Sequence, residues 1–319
     1  MKSIPAFFRL IRLPNLIFIT LTQVLFYTCI VYPLHRERFS LFFIQSSHII
    51  TFTLLVASSV LIAAAGYIIN DYFDMHIDSV NKPDKVVVDK QVKRRWAIMW
   101  HLVLSATGII CSAYVSYNTG QWLILPANIA CVALLWFYST TFKKKLLAGN
   151  IIIAALTAWV IVVVYIFAGA SLLDIQGWQQ ETYAFNVRKL FKITMLYAGF
   201  AFVVSLIREV IKDMEDMYGD ARYDCHTMPI AWGVPAAKVF TAVWLVVCLA
   251  ALVIVQVYAW QSGWWISAGY SILLIILPMV FILKKLYQAK LPADYHAISS
   301  WVKWVMLAGI LSMIFFRLL

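Results

Sequence analysis

Residues 151–170 read IIIAALTAWVIVVVYIFAGA, a run without one charged side chain. A helix needs about 20 apolar residues to cross roughly 30 Å of hydrocarbon. The run is apolar on every side, so it has neither the single apolar stripe of a surface helix nor the alternation of a barrel strand. It predicts a helix surrounded by lipid or by other helices. Working outward, comparable stretches predict spans at 14–34, 48–70, 96–117, 121–139, 147–170, 190–208, 236–258, 262–283 and 299–318. The chain of 319 residues is 63% hydrophobic and 13% charged, with a mean hydropathy of +0.83. Soluble domains are about half apolar and a quarter charged. The fold class expected is therefore all-α and polytopic, with nine transmembrane helices around a central cavity open to the cytoplasmic side. Residues 1–319 leave no room for a separate soluble domain and read as one membrane domain.

The first span has basic residues ahead of it, as a secretory signal would. It also contains Pro14 and Asn15 and lacks a small-residue cleavage site, so it is expected to be retained. Cys29, Cys111, Cys131, Cys225 and Cys248 are scattered without a CxxC pair or a metal-type spacing, which predicts packing roles. A net charge of +11 is compatible with nucleic-acid binding. The basic residues, however, sit in short loops between spans, where topology alone accounts for them. With the N-terminus inside, Lys2, Arg9, Arg12, Lys82, Lys85, Lys90, Lys93, Arg94, Arg95, Lys143 to Lys145, Arg208, Lys212, Arg222, Lys238, Lys284, Lys285 and Lys290 fall on the cytoplasmic side. Arg36, Arg38, Arg188, Lys189 and Lys192 fall opposite, and the loops around Asn118 and Ser262 carry no charge. Nine spans then put the C-terminus outside, in a multi-pass protein of the cell inner membrane.

Two polar stretches follow long apolar runs. The second span leads into N70-D-Y-F-D-M-H-I-D78, and the sixth into R208-E-V-I-K-D-M-E-D-M-Y-G-D220. Both place aspartates at i, i+3 and i+7: Asp71, Asp74 and Asp78, then Asp213, Asp216 and Asp220. On a helix these offsets share one face, with neighbouring carboxylates roughly 5 Å apart. One such cluster could be an acidic helix end exposed to solvent. A second with the same spacing, in a chain with only 15 acidic residues, argues against accident.

Carboxylates gathered at a membrane boundary stay ionised only beside a compensating cation. Magnesium suits them, because it takes hard oxygens, uses one or two carboxylates, and completes its shell with water and phosphate oxygens. The loop pattern of a calcium EF-hand is absent. The chemistry that follows is the binding of a diphosphate and its neutralisation as a leaving group, with Lys143 to Lys145, Arg208, Lys212 and Arg222 as candidate cations for its oxygens.

These residues resemble the UbiA-type intramembrane prenyltransferase superfamily, whose first signature is NDxxDxxxD and whose second is DxxxD, often with an upstream aspartate. Asn70 to Asp78 carries the first; Asp216 to Asp220, with Asp213, carries the second. Shorter similarities lie at R12-L-P-N15, N81-K-P-D84 and Y138-S139, and at K143 to K145 with G149-N150. The resemblance implies that Asp71, Asp74, Asp78, Asp213, Asp216 and Asp220 hold Mg2+ and that Asp71, Asp74, Asp216, Asp220 and Tyr138 serve catalysis. It further implies that Asn15, Asn70, Lys143, Lys145, Asn150, Arg208, Lys212 and Arg222 border the substrate. The partners implied are an isoprenoid diphosphate and a lipophilic acceptor in the bilayer.

The stretch K212 to D220, continuing to T227-M-P229, is most similar to the branch that makes digeranylgeranylglyceryl phosphate. The segment S79 to K85 lacks the arginine-rich sequence of quinone-type and haem-type members, and V86-V-V-D-K90 replaces the proline, serine and glycine turn of the ether-lipid branch. An acceptor like geranylgeranylglyceryl phosphate is the expectation, with an aromatic ring of quinone, haem or chlorophyll-type synthesis as the alternative. A secondary transporter is the reading from another class, and it requires carboxylates at mid-membrane on broken helices. Asp84 and Asp89 are read as solvated loop residues, and His76 and His226 as solvated histidines beside the motifs.

Overall fold

Apolar length dictates the architecture, and the breaks between helices fall where the sequence supplies proline, glycine or charge. A computed structural model describes residues 3–34, 46–83, 86–173 and 180–318. Arg36, Arg38, Asp84 and Lys85 lie outside the described residues.

The helices are α1 (Ser3–Leu10), α2 (Leu13–Leu34), α3 (Ser46–Asn81), α4 (Arg94–Thr119) and α5 (Ile124–Thr140). They continue as α6 (Ala148–Leu173), α7 (Gln180–Arg222), α8 (Val234–Gln261), α9 (Trp265–Gln288) and α10 (Pro292–Leu311). Among the described residues, the only β-type pairing is an isolated bridge between Val88 and Val92.

Among the described residues, eight helices are long and apolar enough to span a membrane. Of the nine expected spans, the fourth is α5, an apolar helix shorter than the others. At 1.5 Å per residue it is about 25 Å long. Large apolar side chains of α8, among them Val243, Val246, Val247 and Ile254, are exposed. Such a face suits lipid rather than water, and the chain is an integral membrane protein.

Prolines start several helices. Pro14, Pro235 and Pro292 occupy the first turns of α2, α8 and α10, where a missing N–H costs nothing. Pro33 and Pro278 fall inside helices, and each is preceded by a widened π turn, Phe26–Val31 and Ile272–Ile276. A proline ring clashes with the carbonyl four residues back, here that of Cys29 or Leu274. The i→i+5 bonds Tyr32 N–H to Tyr27 O and Leu277 N–H to Ile272 O accommodate it.

The chain divides into two compact units. The first comprises Met1–Phe142 and Trp159–Leu196. Its core joins Ala6 and Leu10 of α1 to Ile68 and Met75 of α3 and to Ala97 of α4. Val86, Val87 and Val88 are buried in the same cluster. The segment after the first motif is thus packed rather than wholly solvated, although Asp89 itself is exposed.

A buried polar chain ties four helices of this unit together. Ser58 bonds to Ser112 at 2.7 Å, Asn128 donates to Ser112 at 2.6 Å, and the Trp159 indole donates to Asn128 Oδ1 at 3.1 Å. Each polar atom so paired avoids the cost of an orphan in an apolar interior. Gly108 permits the close crossing: a Cβ there would stand 2.8 Å from Ile62.

The second unit comprises Lys143–Ala158 and Tyr197–Leu319. Its core packs Val204, Ile207, Val210, Ile211 and Met214 of α7 with Leu245 of α8, Met279 and Ile282 of α9, and Val302 and Val305 of α10. Helix α7 runs antiparallel to α10. Glu215 accepts from His296 at 2.9 Å, Phe200 lies against Gly309, and Tyr197 bonds to Ser312 at 2.9 Å. All five cysteines are free and four are buried, in keeping with packing roles.

Candidate functional site

Both aspartate motifs ride on unbroken helix. α3 and α7 run well past the apolar stretches at 48–70 and 190–208, so the clusters occupy their last turns. Neither helix is interrupted at its carboxylates, which removes the broken-helix arrangement that a transporter reading requires.

In the first unit, Asp71 is held from outside its helix. The Arg12 guanidinium donates to Asp71 Oδ1 at 2.7 Å and lies over the Tyr67 ring at 5.2 Å. Arg12 reaches it from the corner between α1 and α2, where its backbone adopts a left-handed conformation, φ 51°. Asn15 closes that corner, its N–H bonding to Arg12 O at 2.8 Å. Burial opposes the charge on Arg12, and the ion pair with Asp71 outweighs it, holding the guanidinium above its ordinary value.

Asp74, one turn on from Asp71, is 3% exposed and accepts from Asn70 Nδ2 at 2.7 Å. The other amide atom, Asn70 Oδ1, is buried and has no hydrogen-bond partner among the described residues. Asp78 is half-buried, while His76 is exposed. Tyr138 is half-buried near the end of α5.

The second unit repeats the device with a different asparagine. Asn150 of α6 donates to Asp213 Oδ2 at 2.7 Å. Close by, the His226 N–H bonds to Lys144 O at 2.8 Å. These two bonds bring Asn150 against the start of the second motif and Lys144 against the segment that follows it. Lys143 is half-buried and Lys145 exposed; Asp216 is half-buried and Asp220 is 5% exposed. Asp213 feels the like charges of Glu209 and Asp220 and the opposite charge of Lys212.

Glu209 binds both basic neighbours: Arg208 Nη1 lies 3.0 Å from Oε1, and Lys212 Nζ lies 3.0 Å from Oε2. Arg222 is exposed and turned onto Tyr218, its guanidinium 4.6 Å from the ring centre and donating to the hydroxyl at 2.5 Å. His226 is exposed, like His76.

Among the described residues, no three His, Cys, Asp or Glu side chains converge on one metal position. Magnesium does not need three, since it commonly takes one or two carboxylates and fills its octahedron with water and phosphate. The donors fit it: they are hard oxygens, and the orphaned Asn70 Oδ1 beside Asp74 is a further oxygen in want of a partner.

Sequence reasoning passed over Arg12 and Glu209 as members of these arrangements, and neither carried a local signal that would have found it.

The sequence pattern of the UbiA prenyltransferase family matches residues 39–307. The digeranylgeranylglyceryl phosphate synthase of Methanosphaera stadtmanae is 27% identical over 251 residues, 78% of this chain and 81% of the relative. Among solved structures, one concerned with digeranylgeranylglyceryl phosphate synthase in membranes superposes with a TM-score of 0.59 at 22% identity, covering 98% of this chain and 99% of that one. A UbiA homolog from Archaeoglobus fulgidus bound to DMAPP and Mg2+ does so with a TM-score of 0.57 at 15% identity, covering 97% and 98%. At these identities the two superpositions establish the fold.

Proposed function

The chain belongs to the UbiA prenyltransferase family, and from that premise we propose that it transfers a prenyl group from an isoprenoid diphosphate to a glyceryl phosphate lipid with magnesium as cofactor. The observation that carries the metal reading is the duplicated Asn-to-Asp clamp, Asn70 on Asp74 and Asn150 on Asp213, at the ends of two helices. The donor and metal reading is further supported by the Archaeoglobus fulgidus homolog, which is described as bound to DMAPP and Mg2+. The acceptor reading is supported by the name of the Methanosphaera stadtmanae relative, a digeranylgeranylglyceryl phosphate synthase.

In this reading each clamp fixes the rotamer of its aspartate, so that Asp71, Asp74 and Asp78 in the first unit, and Asp213, Asp216 and Asp220 in the second, present oxygens to magnesium. Magnesium bound there supplies charge neutralisation of the leaving group. Lys143 and Lys145 add cationic donors to the diphosphate oxygens, and Asn15 holds the corner that delivers Arg12. The bond between the allylic carbon and diphosphate breaks with its electron pair leaving on oxygen. The acceptor hydroxyl then forms the new C–O bond and loses its proton. Apolar helix walls keep water from capturing the cationic carbon, and Tyr138 offers it an aromatic face. Arg222, turned onto Tyr218, is left out of this assignment.

The match from 39 to 307 runs through both units, which supports reading residues 1–319 as one catalytic domain. The distribution of basic loops supports an inner-membrane protein with its N-terminus and site cytoplasmic and its C-terminus outside.

The test is to offer purified protein geranylgeranyl diphosphate with magnesium and either geranylgeranylglyceryl phosphate or a panel of aromatic acceptors, and to identify the lipids by mass spectrometry. Digeranylgeranylglyceryl phosphate is the expected product, formed only with magnesium. A prenylated aromatic ring in its place would overturn the acceptor assignment.

A further inference from the structure

The segment that joins α3 to α4 carries Lys90, Lys93, Arg94 and Arg95, four cations in six residues, with Asp89 as the acidic residue beside them. Its backbone is fixed. Val86, Val87 and Val88 are buried in the core of the first unit. A tight turn follows, closed by Gln91 N–H to Val87 O at 2.9 Å and Asp89 N–H to Val92 O at 2.8 Å, with Asp89 in the left-handed region at φ 71°. All four cations are exposed on this frame. A surface so preorganised gives up little entropy when it binds a partner.

Nothing within the unit neutralises that charge. Lys90 donates to the neutral carbonyl of Pro83 at 2.8 Å, and the Arg94 guanidinium lies over the Tyr72 ring at 5.1 Å. Among the described residues, no carboxylate pairs with Lys93 or Arg95. The arginines do not serve their own helix either. They open α4 with no acidic residue in its first turn, where positive charge opposes the helix dipole.

A second observation says what lies against this segment. Trp96, Met99, Val103 and Ile110 are exposed at intervals of three, four and seven residues, and so form one stripe along α4. In an integral membrane protein that stripe faces acyl chains, and Trp96 has the interfacial place that tryptophan favours. Arg95 precedes Met99 by about one turn and therefore stands above the same stripe. Helix α1 extends the face: the Phe7 ring lies 5.1 Å from Trp100, and the neighbouring Phe8 and Arg9 are exposed. Cations set over an apolar stripe match the two parts of a lipid, an anionic headgroup above hydrocarbon.

We propose that Lys93, Arg94 and Arg95, with Lys90 and Arg9 at the margin, form a binding face for an anionic phospholipid of the leaflet at that end of α4, its acyl chains lying along the Trp96-to-Ile110 stripe. The headgroup phosphate supplies the negative charge that the segment lacks, and the arginine forks suit its oxygens. Through Arg94 on Tyr72 the face touches the first aspartate motif, so a bound lipid braces that helix end from outside. The inference stands whichever acceptor the enzyme uses, because none of these residues belongs to the carboxylate clusters.

The test titrates the full-length protein in uncharged detergent with phosphatidylglycerol or phosphatidylcholine and counts bound lipids by native mass spectrometry. The wild type should hold phosphatidylglycerol at least about 10-fold more tightly, a preference that high salt abolishes. The double variant Lys93→Gln/Arg95→Gln should lose about 10-fold or more of its phosphatidylglycerol affinity, at about fivefold per cation removed, with phosphatidylcholine binding unchanged. Both positions are exposed, so Tm without added lipid should match the wild type. Lys284→Gln/Lys285→Gln, which removes two exposed lysines of α9, should leave phosphatidylglycerol affinity within about twofold of the wild type.

Equal losses in the two double variants would overturn the proposal in favour of diffuse surface charge, as would a wild type that binds both lipids alike. Displacement of phosphatidylglycerol by soluble glycerol phosphate would show an anion site that needs no lipid. Displacement by one equivalent of geranylgeranylglyceryl phosphate would show a docking place for the acceptor itself. Either result would overturn the assignment to a phospholipid.

Discussion

Asp71, Asp74 and Asp78 stand beside a cation brought from another helix corner, whereas Asp213, Asp216 and Asp220 stand in the company of further acidic charge. In the first cluster Arg12 meets Asp71 at 2.7 Å. In the second, Asp213 is crowded by Glu209 and Asp220, and Glu209 draws off the neighbouring Arg208 and Lys212. Identical spacing in sequence therefore produces two chemically unlike clusters. In the first an ion pair already meets Asp71; in the second Asp213 feels the like charges of Glu209 and Asp220 against the opposite charge of Lys212. What they share is an asparagine amide that fixes one carboxylate and prevents it from rotating away.

The harshest way to break this comparison is to remove one carboxylate from each cluster. Asp71→Ala and Asp216→Ala should each lower magnesium-dependent product formation by at least about 10²-fold, the scale of losing one preorganised charge contact to a leaving group. Normal turnover in either variant would show that only the other cluster works. The shared feature is tested next. Asn70→Ala and Asn150→Ala should each raise the magnesium concentration for half-maximal activity about 10-fold, as loss of an orienting partner commonly does. An effect confined to one of them would mean that the two clamps are alike only in geometry.

The difference between the clusters has its own probe. Arg12→Met should lower stability in the absence of magnesium by about 1 kcal/mol, since the pair is partly exposed, and added magnesium should recover much of it. Thermal melting with and without the metal measures this. The smallest effect belongs to Arg222→Gln. With the guanidinium turned outward onto Tyr218, kcat/KM should change by less than about threefold. A larger loss would return Arg222 to the diphosphate.

The apolar run at 151–170 was enough to foretell a membrane-spanning helix, and the i, i+3, i+7 aspartates were enough to place three carboxylates on one helix face. Both follow from local periodicity, which a sequence displays directly. Hydropathy ended the second and sixth spans at residues 70 and 208 because charged residues lower any apolar average. α3 and α7 nevertheless continue, since Asn70 to Asp78 and Arg208 to Asp220 pack against Arg12, Asn150 and His296 rather than facing only water.

Those partners were not legible. Arg12 and Asp71 are 59 residues apart, Asn150 and Asp213 are 63 apart, and a pairing at such separation is decided by how helices pack. The valines at 86–88 looked like a loop because charges flank them, yet their burial against Ile68 and Met75 makes them part of the core.

The π turns before Pro33 and Pro278 carry a further consequence, for how this sequence aligns with its kin. Each i→i+5 bond takes up one residue more than an α turn, so everything beyond it is rotated by about 100° relative to an uninterrupted helix. A relative lacking the proline can drop that residue and keep the same outward face. Single-residue gaps should therefore appear inside the first and eighth apolar spans, where alignments ordinarily forbid them, and closing those gaps would assign lipid-facing side chains to the interior.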